Sequence, residues 1–120
     1  MPRNARKEGY SRRHRFSARG SFGPLLRSNR KLRGPLTIIH VAAGPPLVSR
    51  LGVALTRRLV RSSVDRNFVK RTLREAFRRH PVKGSGLDCV VTLRGRFERG
   101  QVEAMVAEIH GHFDQLYRDH

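Results

Sequence analysis

Residues 66 to 80 read RNFVKRTLREAFRRH, a stretch dense in Arg and Lys with one acid, Glu75. At helical spacing Val69, Leu73, Ala76 and Phe77 share one face. Arg66, Asn67, Lys70, Arg71, Arg74 and Arg78 are expected on the face beside it. Guanidinium and ammonium groups sorted in this way activate no nucleophile. They collect phosphate oxygens, arginine as a bidentate fork and lysine as a point charge. Asn67 adds an amide that can donate and accept to a phosphate, ribose or base edge. A charge run is most often a solvated face, but such faces intersperse Glu at i,i+4 to relieve repulsion. This one carries no acid among its bases, so a nucleic-acid contact is the better reading. Arg57, Arg58 and Arg61 lie just before the helix and extend the same charge.

Catalytic constellations are harder to find. The histidines are His14, His40, His80, His110, His112 and His120. His110 and His112 resemble a metal pair, but neighbours two apart on a helix diverge by about 200°. No carboxylate pair stands beside a candidate nucleophile, and no metal ligand set is assigned. The chain is therefore a poor candidate for a self-contained nuclease, and no catalytic residue is expected in it.

Composition agrees with a binding role. The 120 residues carry 26 Lys and Arg against 9 Asp and Glu, a formal charge of +17. A polyanionic partner follows, and at such basicity nucleic acid is a commoner partner than a membrane surface. Cys89 is the single cysteine and lies in an apolar run. No internal disulfide can form, which fits a reducing compartment. Apolar runs fall far short of the ~20 residues of a membrane span, and no signal h-region follows the basic start. A cytoplasmic location is expected. Residues 1–15 have little apolar content to offset the entropy of ordering, and are expected to be a flexible basic arm before a domain at 16–120.

The elements that must position the basic face follow from local signals. Ser21, Pro24, Phe22, Leu25 and Leu26 predict a short first helix. Arg33-Gly34-Pro35 marks a turn before the β-branched run LTIIHVA, and RLGVALT at 50–56 alternates as another strand. Ser62 and Asp65 have capping-box spacing, and Pro81 disfavours helix at His80, so the basic helix should span about 63 to 79. LDCVVTL at 87–93 reads as a strand covered on both faces. Val102, Met105, Val106, Ile109, Phe113 and Leu116 mark a C-terminal amphipathic helix. The sum is a single α+β layer fold.

The segment RLGVALTRRLVRSSVDRNFVKRTLREAFR, residues 50–78, closely resembles the central segment of the bacterial ribonuclease P protein family. Arg50, Gly52, Arg57, Arg58, Arg66, Asn67, Lys70, Arg71, Arg74, Glu75 and Phe77 match its motif without a gap. Weaker likeness spans residues 12 to 118. The resemblance implies a four-stranded mixed sheet in the order α-β-β-β-α-β-α, like the second domain of ribosomal protein S5, with a left-handed β-α-β crossover. It implies an RNA-binding subunit whose partner, a catalytic RNA with Mg2+, removes the 5′ leader of precursor tRNA. No organic cofactor, membrane or obligate protein partner is implied. The leader is expected between the first helix and the sheet, near Phe16, Phe22, Leu26, Ile39 and Arg94. One departure stands out: the family helix usually reads R-N-R, and this chain has Phe68 third. Phe68 is expected to face outward, with RNA contact and internal packing both open. A structural, ribosomal-type RNA-binding protein and a DNA-binding nucleoid protein are the rival readings.

Overall fold

The strand Leu87–Leu93 has no solvent-exposed side over its first five residues, which are all buried. Such a strand must be central, and the computed structural model places it so. The structure describes residues 25–27 and 30–119. Within them the elements are β1 (Lys31–Arg33), β2 (Thr37–Ala43), β3 (Arg50–Ala54), α1 (Ser63–Arg78), β4 (Leu87–Leu93) and α2 (Val102–Asp119). Short 3-10 turns at Pro81–Gly84 and Arg99–Gln101 precede β4 and α2. The sheet order is β1-β2-β4-β3. β2 runs antiparallel to β4, Ile39 opposite Val91, while β3 runs parallel to β4, Leu51 opposite Cys89. A parallel neighbour requires a crossover, and α1 is that crossover. The expected mixed four-stranded α+β sheet is thus present. Leu25 and Leu26 are helical, and the rest of the expected first helix lies outside the described residues, as does the expected basic arm.

Alternation along the strands divides the sheet into two faces. Ile39, Val41, Leu51, Val53, Cys89 and Val91 meet Val69, Leu73, Phe77, Ile109, Phe113 and Leu116 in the main core. Phe77 and Phe113 meet edge to face at 5.5 Å and join the two helices. On the opposite face, Val90 packs with Leu25, flanked by Leu26, Ala42 and Ala54. Burying Val69, Leu73 and Phe77 contributes about 1.5–3 kcal/mol each. Repulsion between exposed like charges is only about 1 kcal/mol per close pair in water. The core therefore holds α1 against its own charge.

Polar fastenings set the frame. The Glu108 carboxylate on α2 accepts from Leu36 N at 3.1 Å, Thr37 N at 2.7 Å and Thr37 Oγ1 at 2.5 Å. Gly34 runs against that carboxylate, where a Cβ would collide with it. Arg50 donates to both oxygens of Asp88 at 2.7 and 2.6 Å, locking β3 to β4 at their start. This gives the Arg50 of the family motif a structural task.

Candidate RNA interface

Helix α1 starts where its cap demands. Ser62 is extended (φ −86°, ψ 138°) and its Oγ accepts from Asp65 N at 3.1 Å. The helix ends at Arg78, and extended His80 precedes Pro81. The helix expected over 63–79 is therefore present, with Arg79 as its cap.

The basic residues divide by task. Arg57, Arg58, Arg61, Asn67 and Arg71 are exposed, and Lys70 and Arg74 are half-buried. Arg57, Arg58, Arg61, Lys70 and Arg71 make no side-chain hydrogen bond or ion pair among the described residues. Arg66 departs from expectation. Its guanidinium turns back and donates to the carbonyls of Val60 at 2.9 Å and Arg61 at 3.0 Å. It lies one turn before Lys70 and Val69 and shares their side, near the core stripe, so it closes the loop onto the helix. Arg78 also has an internal partner, donating to Glu75 at 3.0 and 2.5 Å, and Arg79 meets the same carboxylate at 2.7 Å. The Arg78 hydrogen bond, helped by that of Arg79, pulls the Glu75 carboxyl down to about 2. Within the expected RNA-binding set, the charge without a partner among the described residues thus lies on the loop before α1 and the middle of the helix.

Phe68 does not stand free in solvent. It is half-buried at the edge of the main core. The Arg99 guanidinium lies 4.3 Å over its ring. The outward placement is corrected: Phe68 sits on the flank turned toward α2, where Thr72 and Ala76 continue a groove to Val106 and His110.

The opposite sheet face is the expected place of the leader. Phe16 and Phe22 lie outside the described residues. Leu26 is half-buried and lines a cavity of about 130 Å³ with Ala54, Leu55, Leu59 and Thr92. Ile39 has 0% exposure and belongs to the helix-side core, so it has no surface to offer a ligand. Strand alternation explains the error, since it turns Ile38, His40 and Ala42 to the other face. His40 is the residue sequence reasoning missed there. It is 6% exposed, its Nε2 lies 3.2 Å from Thr92 Oγ1, and its Nδ1 has no partner among the described residues. Burial, then Lys31 and Arg33, lower its pKa. Its alternation with Ile39 was the available signal. Arg94 is exposed and donates to Gly34 O at 3.0 Å. It borders a separate cavity of about 250 Å³ with Pro35, Leu36, Phe97 and Met105, so Leu26 and Arg94 line different cavities.

The remaining reactive groups serve the fold. Burial pushes the Cys89 thiol up to about 12, which removes the thiolate. His80 caps its turn by accepting from Val82 N at 3.0 Å, and its Nε2 lies 2.7 Å from Asp114. Among the described residues no three His, Cys, Asp or Glu side chains group as a metal site.

A basic helix held on a mixed sheet by a parallel crossover has close relatives. The ribonuclease P family model matches residues 10–117. The chain belongs to the ribonuclease P protein family. The ribonuclease P protein component of Bordetella parapertussis is 32% identical over 127 residues, covering 98% of this chain and 100% of that protein. That of Nitrosomonas europaea is 50% identical over 46 residues, 38% of this chain and 39% of that protein. The ribonuclease P protein structure from Thermotoga maritima superposes with a TM-score of 0.65 at 24% identity, covering 87% of this chain and 96% of that one. That likeness speaks to the fold. Membership supports association with a ribonuclease P RNA, and among the described residues no helix is long and apolar enough to cross a membrane.

Proposed function

We propose that the protein is the RNA-binding subunit of a ribonucleoprotein endonuclease and assists its catalytic RNA in removing the 5′ leader of precursor tRNA. The observation that carries this is the set of cations without partners among the described residues, Arg57, Arg58 and Arg61 on the loop before α1 and Lys70 and Arg71 on α1, in a ribonuclease P family chain. Bringing catalytic and substrate RNA together opposes two polyanions, and a chain of +17 relieves that repulsion. The chemistry belongs to the RNA in this reading. In the same reading Mg2+ is held mainly by the RNA, and the complex works in the cytoplasm.

The leader is assigned to the sheet face bearing Leu26, with His40 and Thr92 beneath it, and Arg94 guides it at the sheet's end. Phe16 and Phe22 remain candidates for stacking there. The test is single-turnover cleavage of precursor tRNA by the catalytic RNA of the same organism, at low magnesium. Protein should restore cleavage that the RNA alone loses, and protein freed of RNA should cleave nothing. Tight RNA binding with no gain in cleavage would favour a purely structural RNA-binding role. Cleavage by the RNA-free protein would overturn the division of labour.

A further inference from the structure

Arg99 stands outside every residue set assigned above, yet few surface side chains are held so firmly. Its Nε and Nη2 both donate to Asp65 Oδ1, at 3.0 and 2.8 Å. Its guanidinium carbon lies 4.3 Å from the Phe68 ring centroid. Asp65 is in turn held in the first turn of α1, where its amide donates to the Ser62 cap. An arginine normally gives up considerable side-chain entropy when it binds. Here that cost is met in the free protein by one ring and one carboxylate.

The bracing leaves a definite surface. The Phe68 ring lies against the guanidinium, and Asp65 takes its Nε and Nη2. The side chain is nevertheless 54% exposed. Over half of the side chain is thus open, and Nη1 has no partner among the described residues. A flat cation with an exposed π-face accepts a nucleobase by stacking, and its free N–H groups can reach a neighbouring phosphate. Asp65 and Phe68 are on α1 itself, and Phe68 shares a groove with Arg71, so the guanidinium lies beside the charge of that helix.

We propose that Arg99, set over the Phe68 ring and braced by Asp65, is a preformed platform for one unpaired nucleobase of the bound RNA. The proposal rests on the RNA-binding reading and extends it to a part of the surface outside the basic helix. Glu98 and Glu103 flank the platform in sequence. They disfavour a phosphate-rich duplex there and suit a single extruded base.

The test uses the full chain and its catalytic RNA. Arg99→Lys keeps the charge and loses the plane, while Arg99→Ala loses both. Both variants should keep the parent's circular dichroism and bind RNA roughly tenfold or more weakly, the scale of one lost stack. Arg99→Lys should leave the slope of log affinity against log salt unchanged. If Arg99→Lys binds as the parent does, only charge matters and the platform is wrong. If both bind normally while Lys70→Ala/Arg71→Ala does not, the platform fails and the RNA-binding reading stands. If all bind normally, that reading fails as well. A second measurement avoids altering the platform. Gly100 is exposed with open space at its Cβ position, and the only natural cysteine is buried. Gly100→Cys carrying an iron-EDTA group should cleave the bound RNA at a non-helical nucleotide. Cleavage confined to duplex, or none, overturns the proposal.

Discussion

Arg66 and Lys70 look interchangeable in the sequence, one turn apart on the same stripe, and the structure gives them different work. Arg66 spends its guanidinium on the carbonyls of Val60 and Arg61. Lys70 has no side-chain partner among the described residues. Replacing Arg66 with Ala should therefore cost stability, about 1–2 kcal/mol for charged hydrogen bonds to a half-exposed group. Lys70→Ala/Arg71→Ala should leave stability within about 0.5 kcal/mol and weaken RNA binding. Chemical denaturation and filter binding on the same preparations separate the two effects. Equal stability loss in both variants would mean that the basic face is part of the fold's own network. At this scale the sequence was only partly readable. Helical spacing located Val69, Leu73, Ala76 and Phe77 correctly, because burial follows periodicity. It could not reveal that Arg66 folds back, because that depends on where the preceding loop leaves its carbonyls. Phe68 was misplaced for a related reason. Its wheel position lay outside the core stripe, but Arg99, thirty-one residues later in the chain, reaches over its ring.

At the scale of elements, β2, β4 and the two helices were legible because each has an unambiguous period or a strong cap. β1 was not, being only three residues long and polar, and its place depends on pairing with β2. The turn that joins them is gripped by Glu108 of α2, a contact no local pattern announces. Two buried histidines report on these elements. His40 lies in β2, and His112 lies in α2, 3.9 Å from Glu108. Burial lowers both pKa values from the usual 6.5, although Glu108 opposes the shift at His112. A depressed histidine pKa means that the unfolded chain binds protons more readily than the folded one. Stability is then full above 6.5 and falls as pH drops below it toward the depressed folded values. The Glu75 carboxyl, held down at about 2, stays charged throughout this window. The melting temperature should drop between pH 7.5 and 5.5, and His40→Gln/His112→Gln should flatten that drop. An unchanged pH profile in the double variant would place the acid sensitivity elsewhere.

For the whole molecule, the opposing effects of salt give the sharpest expectation. A formal charge of +17 on 120 residues repels itself, and screening shortens the reach of that repulsion to about 10 Å at 0.1 M salt. Added sodium chloride should therefore raise the melting temperature of the free protein. The same salt should weaken its complex with RNA, because each phosphate neutralised by Lys or Arg releases a counterion. Internal ion pairs work against the first effect. Arg50–Asp88, with the Asp88 side chain only 10% exposed, is the best shielded from screening, and Arg78–Glu75 is largely open to it. Nine acids cannot offset twenty-six bases, so repulsion should dominate. Lys70→Ala/Arg71→Ala then makes both curves shallower together. The free protein loses part of its repulsion, and the complex loses roughly 0.7–0.9 in log–log slope for each ionic contact removed. A variant that flattened only the binding curve would show that these two cations contribute little to self-repulsion. One that flattened neither would show that the basic face of α1 is merely solvated. The joint change is expected because Lys70 and Arg71 carry charge that no described residue neutralises, and on the proposed reading RNA phosphates would supply the missing anions.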